Sequence, residues 1–245
     1  MKFSGGIAAA VFASVLMADV VCAGDIASFE PIGFSPDGGV FGFEEYGVQD
    51  GSGFPYSNVF FIDTRKDTYL PGTPIRERID DENAGLAAVR AQTQAKAAAL
   101  VDRYDLTDHP GLMAAFNPVT ETEAAAHRLA YRQYAVEPPV EGIFTLALKE
   151  IPLPPSALCK DMSPQSIGFS LAFESEDGQA FDRVLHTDVA IPESRKCPTG
   201  YRIGGVMVHH PAGRDPIHIV LLQVLSFGFE GSDGRWIAVP AQVVP

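Results

Sequence analysis

The chain has 245 residues, of which 46% are hydrophobic, and a formal net charge of −13 at pH 7. A surface this acidic repels phosphate backbones and anionic lipid headgroups, so it disfavours nucleic-acid binding and peripheral membrane binding. The length allows one large domain or two small domains with a substantial hydrophobic core.

The first 23 residues are typical of an export signal. Lys2 supplies a positive charge, residues 7–17 form an apolar run, and residues 21–23 offer small side chains at a cleavage position. The apolar run is shorter than the roughly 20 residues that a bilayer-spanning helix needs, and no later segment is long enough either. We therefore expect a periplasmic or secreted protein with no membrane insertion after signal cleavage.

Residues 24–76 have the character of β-strands. Residues 40–43 and 59–62 are aromatic and β-branched runs bounded by turn residues. The sequence Ser-Pro-Asp-Gly-Gly at 35–39 predicts a tight turn, because Pro suits position i+1 and Gly allows a positive φ. Gly-Ser-Gly at 51–53 predicts a hairpin loop, since the phosphate-binding alternative requires a helix directly after the glycines.

Three aromatic side chains lie on or beside this predicted loop: Tyr46, Phe54 and Tyr56. If exposed, they could form a patch that binds a glycan or an envelope protein, because aromatic residues dominate such contacts. The alternative is that Phe54 and Tyr56 fold back on the sheet around Pro55 and serve packing.

After residue 79, apolar residues recur at steps of three and four, which predicts one amphipathic α-helix over about residues 82–103. Three acidic residues at 80–82 stand where they would complement the helix N-terminus, and Arg103 lies near the other end. Residues 105–122 follow as a predicted loop-rich connection. The apolar stripe of the helix consists of Leu86, Val89, Thr93, Ala97, Leu100 and Tyr104.

Short strands separated by turn signals predict an antiparallel, sandwich-like C-terminal half. Asp-Gly pairs at 177–178 and 233–234 are predicted to form hairpin turns. Residues 124–134 fit a short helix as well as a strand. The predicted strands cover residues 129–136, 143–150, 167–174, 184–191, 201–209, 217–229 and 236–243.

These elements predict an α+β fold that is mainly antiparallel β-sheet. We expect an N-terminal unit of β-hairpins and helix at residues 24–120, packed on a C-terminal antiparallel β unit at residues 121–245. The two units could equally form one continuous domain.

Cys159 and Cys197 are the cysteines that remain after the signal is removed. In an oxidising compartment, and with no CxxC motif, an even pair predicts a structural disulfide. It would close a loop of about 38 residues and stabilise the fold by roughly 3–4 kcal/mol on the chain-entropy model.

Two segments resemble the signatures of an uncharacterised bacterial family of predicted secreted proteins, domain-of-unknown-function family 2259. GDIASFEPIGFSPDGGVFGFEEYGVQDGSGFPYSNVFFID, at 24–63, is similar to its N-terminal signature. CPTGY at 197–201 and GFEGSD at 228–233 are similar to its C-terminal one. The resemblance spans most of the exported chain and brings no activity and no catalytic residues with it.

The histidines offer one hypothesis for a metal site. If residues 211–216 form a hairpin loop in which His210 faces Ile217, His209 faces His218 on the same side of the sheet. With His186 or Asp188 from the preceding strand as a third ligand, the pair could bind a divalent metal such as zinc or copper. The alternative is a set of solvent-facing histidines at a hairpin tip, and in that case the chain carries no cofactor.

For function, the sequence favours a non-enzymatic binding or interaction protein of the bacterial envelope, with an unknown envelope protein or glycan as partner. No GxSxG or HExxH motif is present. The alternative is a hydrolase-like exported enzyme whose site is assembled from residues far apart in the chain, and a third hypothesis is a weak divalent-metal binder. A buried group with a perturbed pKa at the base of a pocket would favour the enzyme.

Overall fold

The structure is a computed structural model that describes residues 24–163, 165–176 and 179–242. The predicted export signal at 1–23 and the predicted turn at 177–178 lie outside the described residues. Within the described ranges, no helix is long and apolar enough to cross a membrane.

The described residues form thirteen strands, one α-helix and one short 3-10 helix. The helix α1 spans Leu86–Arg103, and the 3-10 helix spans Glu193–Arg195. The strands are β1 (Ser28–Phe34), β2 (Val40–Val48), β3 (Pro55–Asp63), β4 (Thr68–Tyr69), β5 (Ile75–Arg78), β6 (Leu112–Phe116), β7 (Arg128–Tyr131), β8 (Phe144–Leu153), β9 (Ser166–Glu176), β10 (Gln179–Thr187), β11 (Pro198–His209), β12 (Ile217–Phe227) and β13 (Ser232–Gln242).

These strands make three sheets in which every named pair is antiparallel. The first sheet has the order β1-β2-β3-β4, with β5 also paired to β3. The second has the order β10-β9-β8-β7, and the third has the order β13-β12-β11-β6. The predicted α+β fold, mainly antiparallel with a single helix, is confirmed.

Both predicted N-terminal hairpins are present. In the turn between β1 and β2, the backbone N–H of Val40 donates to Ser35 Oγ at 2.9 Å, and that of Gly39 donates to Asp37 Oδ1 at 3.0 Å. In the loop between β2 and β3, the N–H of Gln49 donates to the carbonyl of Phe54 at 2.9 Å. The glycine-rich loop is therefore the bend of a long hairpin, as the residues around it predict.

Helix α1 begins at Leu86 rather than at residue 82. Asp81 holds the preceding segment in a turn, because its side chain accepts a hydrogen bond from the N–H of Asn83 and its carbonyl accepts one from the N–H of Ala84. The acidic residues thus precede the helix instead of lying in its first turn. The buried face is as predicted and packs on β3; it consists of Val89, Thr93 and Ala97.

The segment predicted as a loop-rich connection contains β6, which pairs with β11. Its sequence, LMAAF, has low intrinsic strand preference, so the pairing is decided by a partner far away in the chain. The predicted strand at 129–136 stops at Tyr131, and the helical alternative at 124–134 does not form.

The reversal between β12 and β13 lies earlier than predicted. Gly228 donates its N–H to the carbonyl of Gly231 at 2.9 Å, so the chain turns before it reaches Asp233. Asp233 and Gly234 instead belong to β13, where Gly234 pairs with Leu225. The predicted turn at 233–234 is therefore wrong, because two glycines close the turn first.

One core cluster contains residues from both sides of the predicted boundary at 120. Phe41, Phe43 and Phe60 of the first sheet pack in it with Ile219 and Trp236 of the third sheet. Burial of this much shared aromatic surface holds the first and third sheets together. The division into two units stays a prediction.

Cys159 and Cys197 form the predicted disulfide, with their Cα atoms 5.5 Å apart. The bridge joins the segment after β8 to the start of β11. The hairpin of β9 and β10 lies between the two cysteines in the chain, so the disulfide closes a loop around it.

Candidate functional site

The structure does not bring together the three histidines predicted to bind a metal. His209 pairs with Ile217, and His218 pairs with Val208, which is one residue away from the predicted register. A shift of one residue turns the two imidazoles to opposite faces of the sheet. His218 is buried against Tyr131, whose hydroxyl lies 2.6 Å from Nδ1, and His186 lies in another sheet. Among the described residues, no group of three or more His, Cys, Asp or Glu side chains is arranged to hold a metal ion.

The three aromatic residues around the hairpin loop do not form one exposed patch. Tyr46 pairs with Ser57 and Tyr56 pairs with Gly47, so the two tyrosines lie on opposite faces of the sheet. Tyr46 lies against Arg90 of α1, whose guanidinium carbon is 3.8 Å from the ring centroid. Tyr56 is buried in the core, and Phe54 is left alone on the loop, half-buried.

A cleft separates the edge of the first sheet at β3 and β5 from β13 and the 3-10 helix. It contains adjoining cavities of about 130, 360 and 600 Å³, and the two larger ones are in the size range of small-ligand sites. We call it the intersheet cleft and define it by the residues that line at least two of these cavities. These are Asn58, Tyr69, Arg76, Ser194, Arg195, Lys196, Arg235 and Ile237.

A buried carboxylate lies in the wall of the intersheet cleft. Glu45 is 3% exposed and accepts hydrogen bonds from the N–H of Trp236 at 2.8 Å and from Asn58 Nδ2 at 2.9 Å. Burial raises the pKa of Glu45, and these two hydrogen bonds oppose the rise. Each carboxylate oxygen therefore has a partner within the protein.

A second buried carboxylate belongs to Asp25, beside the cleft. It accepts hydrogen bonds from the hydroxyl of Tyr56 at 2.8 Å and from Nη2 of Arg235 at 2.5 Å. The guanidinium carbon of Arg235 also lies 4.7 Å from the ring centroid of Tyr56. Burial raises the pKa of Asp25, while Arg235 and Tyr56 lower it. Three side chains from β3, β13 and the N-terminal segment are thus locked together.

A cationic histidine lies at the other end of the cleft. His186 Nε2 donates to Asp188 Oδ1 at 2.9 Å, and Nδ1 lies 3.7 Å from Asp67. These two carboxylates raise the pKa of His186 to about 9, so its imidazole is protonated at neutral pH. Arg195 binds the other oxygen of Asp188 at 2.6 Å. Asp188 therefore lies between two cations.

The histidine and the two buried carboxylates of the cleft are engaged in contacts that disfavour acid–base catalysis by them. Ser194 lines the same cavity as His186, but a protonated imidazole cannot accept the proton of a serine hydroxyl. Glu45 and Asp25 use both carboxylate oxygens in contacts within the protein. Neither buried carboxylate therefore has an oxygen left for a substrate.

Two cations of the intersheet cleft form no salt bridge among the described residues, although the charge of Arg76 opposes the rise in the pKa of the buried Glu45. Arg78, Arg195 and Arg235 each form a salt bridge with an aspartate. Arg76 and Lys196 form none, and both side chains are exposed. In a chain of net charge −13, the cleft therefore offers free positive charge to a ligand.

Sequence reasoning identified Tyr56 and His186 as candidates but missed the rest of the cleft. Its lining residues come from β3, β4, β5, the 3-10 helix with the residue after it, and β13, and no fixed spacing links them. One local signal existed, the His-x-Asp sequence at 186–188 at the end of a strand. It could indicate a paired histidine, but not a binding site.

Comparison with known proteins gives one match. A family model described as "Predicted secreted protein (DUF2259)" matches residues 42–242. No curated protein and no solved structure matches this chain significantly. The matched region includes α1, the disulfide and every residue that defines the intersheet cleft.

Proposed function

The chain belongs to the family of predicted secreted proteins DUF2259, and from that premise we propose that it is a non-enzymatic binding protein of the bacterial envelope. It acts in the periplasm or outside the cell, and its ligand site is the intersheet cleft. The ligand is a component of the envelope.

The observation that carries this proposal is the pair of exposed cations in the cleft, Arg76 and Lys196, which form no salt bridge in the described part of the chain. They come from separate parts of the chain, β5 and the segment after the 3-10 helix, yet they line the same two cavities. Around them Arg78, Arg195 and Arg235 are already paired with aspartates, so Arg76 and Lys196 are the cations left for a ligand.

A second candidate function is the hydrolase-like enzyme, and one observation favours it. Glu45 is a buried carboxyl with a raised pKa in the wall of a cavity, which is a property of general acids. Its two hydrogen bonds from Trp236 and Asn58 weigh against this role, because a general acid needs an oxygen that faces the substrate. Binding is therefore the better supported function.

Hydrogen–deuterium exchange tests the binding function. The intact protein is incubated with an extract of the envelope of the exporting cell, and exchange is compared with buffer alone. We expect the extract to slow exchange in β5, in β13 and around residues 193–197, and to leave the β8–β9 hairpin unchanged. Uniform exchange with and without the extract would count against a binding function at the cleft.

A matched pair of variants separates the cleft from general surface charge. Arg76→Glu with Lys196→Glu should abolish the protection. Lys149→Glu with Arg214→Glu changes the net charge equally at exposed positions outside the cleft and should leave the protection in place. Release of a hydrolysed product from the extract, lost in Glu45→Gln, would instead support the enzyme.

A further inference from the structure

We propose that the ligand of the intersheet cleft is an acidic saccharide. Its carboxylate or sulfate group is bound by Arg76 and Lys196, and the face of its sugar ring packs on Tyr69. This inference rests on the proposed binding function and names the chemical class of the ligand for that site.

The two cations line the same two cavities, so one anionic group bound there can contact both. Arg76 projects from β5, with its guanidinium carbon 5.7 Å from the ring centroid of Phe60. Lys196 projects from the opposite wall, and its backbone is held by a hydrogen bond from its N–H to the carbonyl of Glu193 at 3.0 Å. The next residue, Cys197, is anchored by the disulfide. An anion between the two side chains would form charge-assisted hydrogen bonds with both.

Tyr69 supplies an aromatic surface next to the anion site. Its side chain is 37% exposed, and its ring centroid lies 5.7 Å from that of Phe60. Tyr69 and Arg76 therefore both lie near the ring of Phe60, and all three residues line one cavity. The C–H face of a pyranose ring is apolar and packs on aromatic rings, while its hydroxyl groups point sideways to polar partners.

The rest of the lining suits sugar hydroxyl groups. Asn58 lines two of the cavities; its Nδ2 donates to Glu45, and its side-chain carbonyl oxygen has no hydrogen bond among the described residues. Ser194 is exposed on the 3-10 helix and lines all three cavities. A hydroxyl and an amide oxygen are acceptors and donors of the kind that fix the orientation of a polar ligand.

Acidic residues around the site favour a ligand whose negative charges are few and well separated. Glu193 lines one of the cavities and Asp233 lines another, and both would repel a densely charged polymer such as a nucleic acid. The chain as a whole adds to this repulsion with its net charge of −13. A sugar that carries single, separated anionic groups is repelled less and can place one such group beside Arg76 and Lys196.

A glycan array tests the inference with the intact native protein. The array presents galacturonate and glucuronate oligosaccharides beside their methyl esters, and sulfated oligosaccharides beside their desulfated parents. We expect binding only to acidic members, with at least about tenfold weaker binding after esterification or desulfation, which corresponds to about 1.4 kcal/mol. The two pairs of arms distinguish a carboxylate from a sulfate as the bound group.

Four variants test the assigned roles on the best acidic member, by titration calorimetry. Arg76→Ala with Lys196→Ala should weaken binding by at least about tenfold, whereas Lys149→Ala with Arg214→Ala should change it by less than about twofold. Tyr69→Ala should weaken binding several-fold, and Glu193→Gln should strengthen it by removing a repulsive charge.

Binding to neutral parents as tight as to acidic members would overturn the inference. So would an array on which no acidic member binds, or an Arg76/Lys196 variant that binds as well as the native chain. The binding function is tested separately, by hydrogen–deuterium exchange with the envelope extract. Protection of the cleft by the extract without acidic-glycan binding would mean that the function stands and the ligand class is wrong.

Discussion

The backbone N–H of Trp236 donates a hydrogen bond of 2.8 Å to the buried carboxylate of Glu45. This contact joins β13 of the third sheet to β2 of the first sheet at the wall of the intersheet cleft. The indole N–H of Trp236 donates in turn to the carbonyl of Ala27 at 2.7 Å. Trp236 therefore ties together the N-terminal segment, the first sheet and the third sheet.

Glu45→Ala should destabilise the protein by about 2–3 kcal/mol, because it leaves the buried N–H of Trp236 without an acceptor. Glu45→Gln should have a smaller effect, because its amide oxygen can still accept the hydrogen bond from the N–H of Trp236. Some stability is lost because its NH₂ group then faces the NH₂ donor of Asn58. Urea denaturation followed by Trp fluorescence measures both. Glu30→Ala, at an exposed position on β1, is the control and should stay within about 0.5 kcal/mol of the native chain. Equal stabilities for all three variants would contradict the role given to Glu45.

Two aromatic residues of the β2–β3 hairpin should respond differently to the same substitution. Tyr56→Ser removes a buried ring and the hydrogen bond to Asp25, so we expect a loss on the order of 3–5 kcal/mol. Phe54→Ser removes a half-buried ring beside Arg78 and should cost roughly 1 kcal/mol or less. Thermal and chemical denaturation measure both losses. A similar loss for the two variants would mean that the loop packs more tightly than its exposure indicates.

His186 should make stability depend on pH between about 6.5 and 9. Its pKa is raised to about 9 in the folded state by the carboxylates of Asp188 and Asp67, whereas the unfolded value is near 6.5. The stabilisation is therefore fully present below pH 6.5 and is lost as pH rises through 9. We expect a decrease of about 2 kcal/mol over this range, reduced by partial exposure of the imidazole from the value that the full shift implies.

Denaturation at a series of pH values tests this dependence, with His186→Gln as the matched control. The native chain should lose stability from pH 6.5 to 9, and the variant should show a flatter profile over the same range. Parallel profiles for the two proteins would show that His186 is not the group responsible.

The disulfide should contribute about 3–4 kcal/mol, because it closes a loop of 38 residues in the unfolded chain. Reduction should lower the melting temperature of the native chain and should not affect a Cys159→Ser, Cys197→Ser double variant. The intact mass without reductant should lie two hydrogens below the reduced mass. Quantitative labelling of both thiols in the native protein would contradict the bridge.

Turn chemistry and side-chain periodicity are local, and the elements that depend on them were predictable. The Ser-Pro-Asp-Gly-Gly turn, the hairpin at residues 51–53 and the helical stripe at Val89, Thr93 and Ala97 are all present. The disulfide followed from there being two cysteines in the exported chain. These features require no knowledge of distant neighbours.

The tertiary structure decided the strand register and the site. The shift of one residue puts His209 and His218 on opposite faces of the sheet, and both are buried there: His218 lies beside Tyr131, and His209 stacks on Phe34. Strand β6 exists because β11 offers it an edge, although its own residues favour a strand weakly. The intersheet cleft unites Arg76 with Lys196 across 120 positions of sequence. Periodicity acts within one element, whereas a cleft between sheets arises only when separate hydrophobic faces are buried together, so its residues carry no common pattern along the chain.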